Sequence, residues 1–332
     1  MLLNRCHVMF CGLLLLCVLS SLALAQSGPQ VYDEDHYQQH HIKPLQETPE
    51  GLDFLVLGDW GRNGHYQQRQ VAMWMDVVMQ QLDGDFIVTT GDNFYSNGVA
   101  SIHDPYWQSS FEHIYQGPHL FENWYAILGN HDYRGNWQAQ IDYTHVSRRW
   151  QMPAQYYAKN IALEDGASVL MVFLDTNPLN PEYQHKAKYA ATQQQDASKQ
   201  LAWLKHQLAN SNATWKVVIG HHPLYSSGKR YGKTSGIRGV LEPILEGYQV
   251  DVYFAGHEHD LQHNQPEGTR VAHFVSGAGS EVRPIAQREF TKFATSQAGF
   301  ATVGIDKAQM TVRFISADGK LLYQYQIQKD NS

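Results

Sequence analysis

The sequence predicts an α/β fold: a four-layer α/β/β/α sandwich, with two mixed β-sheets packed face to face and helices outside. Three observations predict it. Short apolar runs rich in β-branched residues recur, and each ends in a turn of glycine and polar groups. Amphipathic helical patterns alternate with those runs, the arrangement that parallel strands require. The C-terminal part alternates without long helices, which adds antiparallel strands.

The runs are "DFLVLGDWG" (53–61), "DFIVTTGDN" (85–93), "NWYAILGNHD" (123–132), "SVLMVFLDT" (168–176), "WKVVIGHH" (215–222) and "VDVYFAGHEH" (250–259). After the first, Val71, Met75, Val78 and Leu82 share one face of a helix over 66–82. Ala197, Leu201, Leu204 and Leu208 do the same over 194–209, and Ile237, Val240, Leu241, Ile244 and Leu245 mark a third helix. "VAHFVSGAG", "GFATVGIDK", "MTVRFIS" and "LLYQYQIQ" supply the late strands, and "SADGK" (316–320) is a hairpin turn signal.

The chain has 332 residues, 43% apolar and 17% charged, with a net charge of −7. Such a length and composition suit one large domain or two smaller ones, and the charge balance argues against a nucleic-acid platform; the protein is expected to be a monomer. Residues 1–25 read as a signal peptide: Arg5, an apolar run, then Ala23 and Ala25 before the cleavage point. The protein is therefore expected to be exported, secreted or periplasmic, with no stable membrane insertion after cleavage. Cys6, Cys11 and Cys17 all lie in that segment. The rest has no thiolate, so any metal site must use oxygen and nitrogen donors. Residues 26–50 read as a flexible leader and 51–330 as one domain. Asn212-Ala213-Thr214 matches a glycosylation sequon, meaningful only in a eukaryotic host.

Chemistry-bearing residues gather at the strand ends. The runs deliver Gly58-Asp59, Gly91-Asp92-Asn93, Gly129-Asn130-His131-Asp132, Gly220-His221-His222 and Gly256-His257-Glu258-His259. In an open α/β sheet, sites form beyond the carboxyl ends of strands. Any one of these turns alone is unremarkable; five in order point to one site. Each polar group follows a glycine, expected to let the backbone turn sharply. Asp59, Asp92, Asn130, His221, His257 and His259, with Tyr95 three residues after Asp92, are more donors than one ion needs. Two ions sharing a carboxylate would use them, a device known for phosphoryl chemistry.

The motifs GDWG, GDNFY, GNHD, GHHP and GHEH, in this order from about residue 52 onward, resemble those of the purple acid phosphatases within the calcineurin-like metallophosphoesterases. The similarity is strongest to the small mammalian-type, tartrate-resistant acid phosphatases. The resemblance implies that Asp59, Asp92, Tyr95 and His259 hold Fe(III). It implies that Asp92 bridges to a second ion, Fe(II), Zn(II) or Mn(II), held also by Asn130, His221 and His257. The resemblance also implies His221 rather than His222 as the ligand, because the family's ligand lies two residues before the proline, here Pro223. A metal-bound hydroxide would attack a small phosphomonoester, releasing inorganic phosphate, with His131 as general acid and a rate maximum below neutrality. Tyr95 explains the ferric preference, because a phenol with a pKa near 10 gives up its proton in mild acid only to a strongly charged ion.

Around that set, His222 is a candidate substrate contact, and Asp260 either orients His259 or adds negative charge. Glu258 is expected to be a solvated strand residue, and His113, His119 and His263 surface histidines. Residues 177–193 read as an exposed loop, in the place where mammalian relatives restrain activity until cleaved. Two rival readings share these residues: phosphodiester or nucleotide hydrolysis, and a non-hydrolytic iron-binding protein.

Overall fold

Six consecutive buried residues, Leu52–Leu57, open the fold as a strand with no solvent face. Strands of this kind belong inside a sheet covered on both sides. The computed structural model describes residues 32–183 and 186–329; the expected signal peptide and the three cysteines lie outside them. Among the described residues no helix is long and apolar enough to cross a membrane.

In chain order the first half runs α1 (Glu34–His40), β1 (Leu52–Leu57), α2 (Gln68–Leu82), β2 (Phe86–Thr89), β3 (Asn123–Tyr125), α3 (Trp137–Asp142), β4 (Trp150–Gln151), β5 (Tyr157–Ala162) and β6 (Ser168–Phe173). The second half runs α4 (Ala197–Ala209), β7 (Trp215–Ile219), α5 (Ser235–Gly247), β8 (Val252–Ala255), β9 (Leu261–Asn264), β10 (Ala272–Ser276), β11 (Thr291–Thr295), β12 (Gly299–Ile305), β13 (Gln309–Ser316) and β14 (Leu321–Gln328).

Two seven-stranded mixed sheets form, in the orders β14-β13-β12-β1-β2-β3-β4 and β11-β9-β10-β8-β7-β6-β5. In the first, β1 to β4 are parallel, and β12 joins β1 antiparallel, Leu52 opposite Ile305. In the second, β6, β7, β8 and β10 are parallel, with antiparallel strands outside them. Phe54, Val56, Val88 and Phe314 of one sheet meet Met171, Phe173, Ile219 and Phe254 of the other in a shared core. The outer face of the first sheet packs on α2 through Val71, Met75, Val78 and Leu82. The outer face of the second packs on α4 and α5 through Leu204, Leu208, Leu241 and Leu245. The four expected layers are present. The expected helical faces of α2, α4 and α5 are those that bury.

Differences from the expectation have local causes. Within the stretch expected to be a flexible leader, residues 34–40 form α1, capped by Asp33, whose Tyr37 hydroxyl donates to Asp76, and Ile42 and Leu45 are buried. β10 is parallel to β8, not antiparallel. β9 and β11 carry too few apolar residues to announce themselves, yet "LQHN" of β9 is buried throughout.

Candidate metal centre

The carboxyl ends of β1, β2, β7 and β8 converge, and the turn after each carries a site residue. Asp59, Asp92 and His257 themselves adopt left-handed backbone, with φ of 57, 52 and 69°. Such non-glycine conformations are costly and gather where function requires them. Here the site residues make the turns. The preceding glycines mostly serve a different purpose from the one expected. A Cβ on Gly58 would lie 2.0 Å from Thr90 Oγ1, and one on Gly129 2.0 Å from the Asp92 nitrogen. One on Gly256 would lie 2.5 Å from Asp59 Oδ2. These glycines let the strand ends approach; of the five, Gly91 alone has a positive φ, 86°.

Two clusters result, both buried. In the first, the Tyr95 hydroxyl lies 2.8 Å from Asp59 Oδ1, 2.9 Å from Asp92 Oδ2 and 3.1 Å from His259 Nε2. In the second, His221 Nε2 lies 3.1 Å from His257 Nδ1, 3.3 Å from Asn130 Oδ1 and 3.5 Å from Asp92 Oδ1. Asp92 thus faces both clusters, one oxygen to each. All seven expected ligand residues are brought together.

Backbone and side-chain partners fix which atoms face inward. The His221 ring donates from Nδ1 to the Thr90 carbonyl at 2.8 Å, leaving Nε2 with its lone pair toward the cluster. His259 turns Nδ1 toward Glu281, 3.6 Å away, and Nε2 inward. The His257 amide donates to Asp59 Oδ2 at 2.8 Å, and the His131 amide to Asp92 Oδ1 at 2.7 Å. Asp132 ties two motifs together, accepting from the amides of Asn93, Phe94 and Gly129.

The donor set fits cations. One phenol hydrogen cannot serve two carboxylates and an imidazole nitrogen at once. Burial, and then the neighbouring carboxylates, push Tyr95 well above its ordinary value; burial and Asp92 push Asp59 up as well. Burial lowers His221, His257 and His259, so their rings are neutral and keep free lone pairs. For Asp92 burial acts upward, and the His131 amide and the Tyr95 hydroxyl, both donating to it, act downward. Crowded, water-excluded acceptors of this kind are satisfied by ions. Asp59, Asp92 and His221 form one group able to hold a metal, and His221, His222 and His257 another.

His131 sits at the edge, one-fifth exposed, with Nε2 3.9 Å from Asp92 Oδ2. Its Nδ1 donates to the Ser96 carbonyl at 2.6 Å. His222 has both ring nitrogens engaged, Nδ1 with Thr176 Oγ1 and Nε2 with the Tyr183 hydroxyl, each at 2.7 Å. Thr176 also accepts from the His221 and His222 amides.

Several expectations are corrected. Glu258 is fully buried and accepts from Ser226 Oγ and from the amides of Lys229 and Arg230. His263 is buried as well, stacked on Phe274. Asp260 accepts from Gln262 and makes no hydrogen bond to His259. The 177–193 segment is not simply exposed: Tyr183 and Tyr189 are buried and stacked, and Asn130 Nδ2 donates to the Tyr189 hydroxyl at 3.2 Å. Sequence reading also missed Arg62, Thr176 and Glu281. Only Arg62 had a visible signal, standing directly after GDWG.

Fold and paired carboxylate–histidine clusters together define a metallophosphoesterase. Residues 52–261 match the calcineurin-like phosphoesterase family. The chain is 33% identical over 327 residues to purple acid phosphatase 17 of Arabidopsis thaliana, covering 94% of this chain and 92% of that protein. It is 34% identical over 304 residues to human tartrate-resistant acid phosphatase type 5, covering 83% of this chain and 90% of that one. The chain belongs to the purple acid phosphatases, and it is a phosphoester hydrolase with a dinuclear metal centre. A solved structure with TM-score 0.75 and 25% identity, covering 85% of this chain and 90% of the other, is GAP50, described as the anchor in the inner membrane complex of Plasmodium.

Proposed function

We propose that the protein is an exported acid phosphatase that hydrolyses small phosphomonoesters, using Fe(III) beside a divalent ion. The carrying observation is the Tyr95 hydroxyl, within 3.1 Å of Asp59, Asp92 and His259. A phenol that burial and two carboxylates push upward surrenders its proton only to a strongly charged ion. Asp59, Asp92, Tyr95 and His259 would hold Fe(III); Asp92, Asn130, His221 and His257 would hold Fe(II), Zn(II) or Mn(II).

When bound, such an ion pair supplies Lewis-acid charge and an activated water for in-line attack at phosphorus. The chain's own residues do the rest. His131 holds Nδ1–H on Ser96 and presents Nε2 to the leaving oxygen, to which it gives a proton. His222, clamped by Thr176 and Tyr183, lines the hollow beside His257 and shapes the substrate's approach. Asp132 fixes the spacing of the Asp92 and Asn130 turns.

The test is metal analysis with a visible spectrum and an aryl-phosphate assay on the same preparation. We expect iron, a tyrosinate charge-transfer colour and hydrolysis in mild acid. Colourless, oxidised, metal-replete protein would remove the ferric–tyrosinate assignment. Colour without hydrolysis would favour the iron-binding reading. Export follows from the N-terminal 25 residues, and a mature chain beginning at Gln26 would bear it out.

A further inference from the structure

Beside the second cluster lies a hollow of about 160 Å³ that reaches His257 and His222. Tyr183 and Tyr189 wall one side, and the rim carries Lys186, Lys188, Arg230 and Lys233. Lys186 is 3.8 Å from Glu182, so its charge is answered. Lys188 lies over the Tyr189 ring at 4.8 Å, and neither it nor Lys233 pairs with a carboxylate among the described residues. Arg230 is 3.9 Å from Glu258, but that carboxylate already accepts from the Ser226 hydroxyl and the Lys229 and Arg230 amides, and Arg230 Nη1 has no hydrogen-bond partner among the described residues. Glu258 therefore anchors the loop that aims Arg230 into the hollow.

A single phosphoryl group would be served by the ion pair that Asp59, Asp92, Tyr95, Asn130, His221, His257 and His259 would hold. Cations at the neighbouring rim are surplus to it, in a chain whose net charge is −7. Clefts that gather one sign of charge select ligands of the other. We propose that this hollow binds a second phosphoryl group of the substrate, so that the favoured substrates are small bisphosphates. Lys188, Arg230 and Lys233 would hold the distal phosphate while the proximal one lies on the ions. This rests on the phosphatase reading above and deepens it.

The test compares propane-1,3-diyl bisphosphate with propyl phosphate on the metal-loaded protein, corrected for the two equivalent phosphates. The wild type should favour the bisphosphate by about tenfold in kcat/KM, the sum expected from a few partly solvated charge contacts. Lys188→Gln with Lys233→Gln should erase most of that advantage through KM and leave propyl phosphate within about twofold. Added salt should shrink the advantage in the wild type. Arg230→Gln, tested alone, should act in the same direction. Parity of the two substrates in the wild type, or an equal loss on both in the double variant, would overturn the subsite alone. Hydrolysis of neither would overturn the phosphatase reading with it.

Discussion

The guanidinium carbon of Arg62 lies 3.7 Å from the centre of the Tyr95 ring, and its Nη2 is 2.6 Å from Glu281 Oε2. Glu281 in turn faces His259 Nδ1 at 3.6 Å. A cation over an aromatic face is worth about 1 kcal/mol or more when desolvated, and an anionic ring gains further. Arg62→Leu should therefore raise the energy of a Tyr95 tyrosinate. In ferric-loaded protein the charge-transfer band should move to longer wavelength while iron content stays constant. An unmoved band would show that Arg62 does not tune the phenolate.

His131 is expected to matter in proportion to the leaving group. His131→Gln keeps a side chain of similar reach but loses the transferable proton. Turnover of an alkyl phosphate should fall by about a hundredfold, and that of p-nitrophenyl phosphate by much less, because its leaving group departs without protonation. Equal losses on both substrates would argue for a purely structural role.

Asp132 is a structural keystone. Its carboxylate accepts from three buried amides on two different turns. Asp132→Ala leaves them without a partner, at about 3 kcal/mol or more of stability. Urea unfolding should show the loss in metal-free protein as well as in the loaded form.

Asp53, at the start of β1 and far from the strand ends of the site, gives stability its own pH dependence. Burial pushes its carboxyl up to about 6, against hydrogen bonds from Thr48 that act downward. In the unfolded chain it titrates near 4. The folded state thus holds this proton more tightly; the contribution is complete below about pH 4 and is lost as pH rises through about 6. Asp53→Asn should match the wild type in acid and exceed it by about 2 kcal/mol at neutral pH, measured by urea unfolding at both.

The layers and the strand-end residues were legible because both rest on short-range pattern. Apolar runs and helical faces announce β1, α2 and α5 directly, and Asp59, Asp92, His221 and His257 sit where those runs stop. What was not legible depends on contacts between distant segments. Glu258 reads as a solvated residue until the amides of Lys229 and Arg230 arrive to claim it. His263 is polar in sequence and buried in space because Phe274 and Tyr325 cover it. Tyr183 and Tyr189 lie in a stretch without apolar period, so nothing local foretold that they would fold against Asn130 and His222. The role of the glycines was misread for the same reason: close approach is a property of two strands, not of one turn.

The pairing of β1 with β12 joins Leu52 to Ile305 and Val56 to Ala301. A ribosome must therefore make nearly the entire polypeptide before the central strand of the first sheet gains its second neighbour. Until then an edge apolar at every position but Asp53 stands open, and long-range closures of this kind are slow. Chains truncated before residue 299 should accumulate as aggregates rather than as a smaller soluble unit. The late hairpin strands act as a clasp that completes the sheet last.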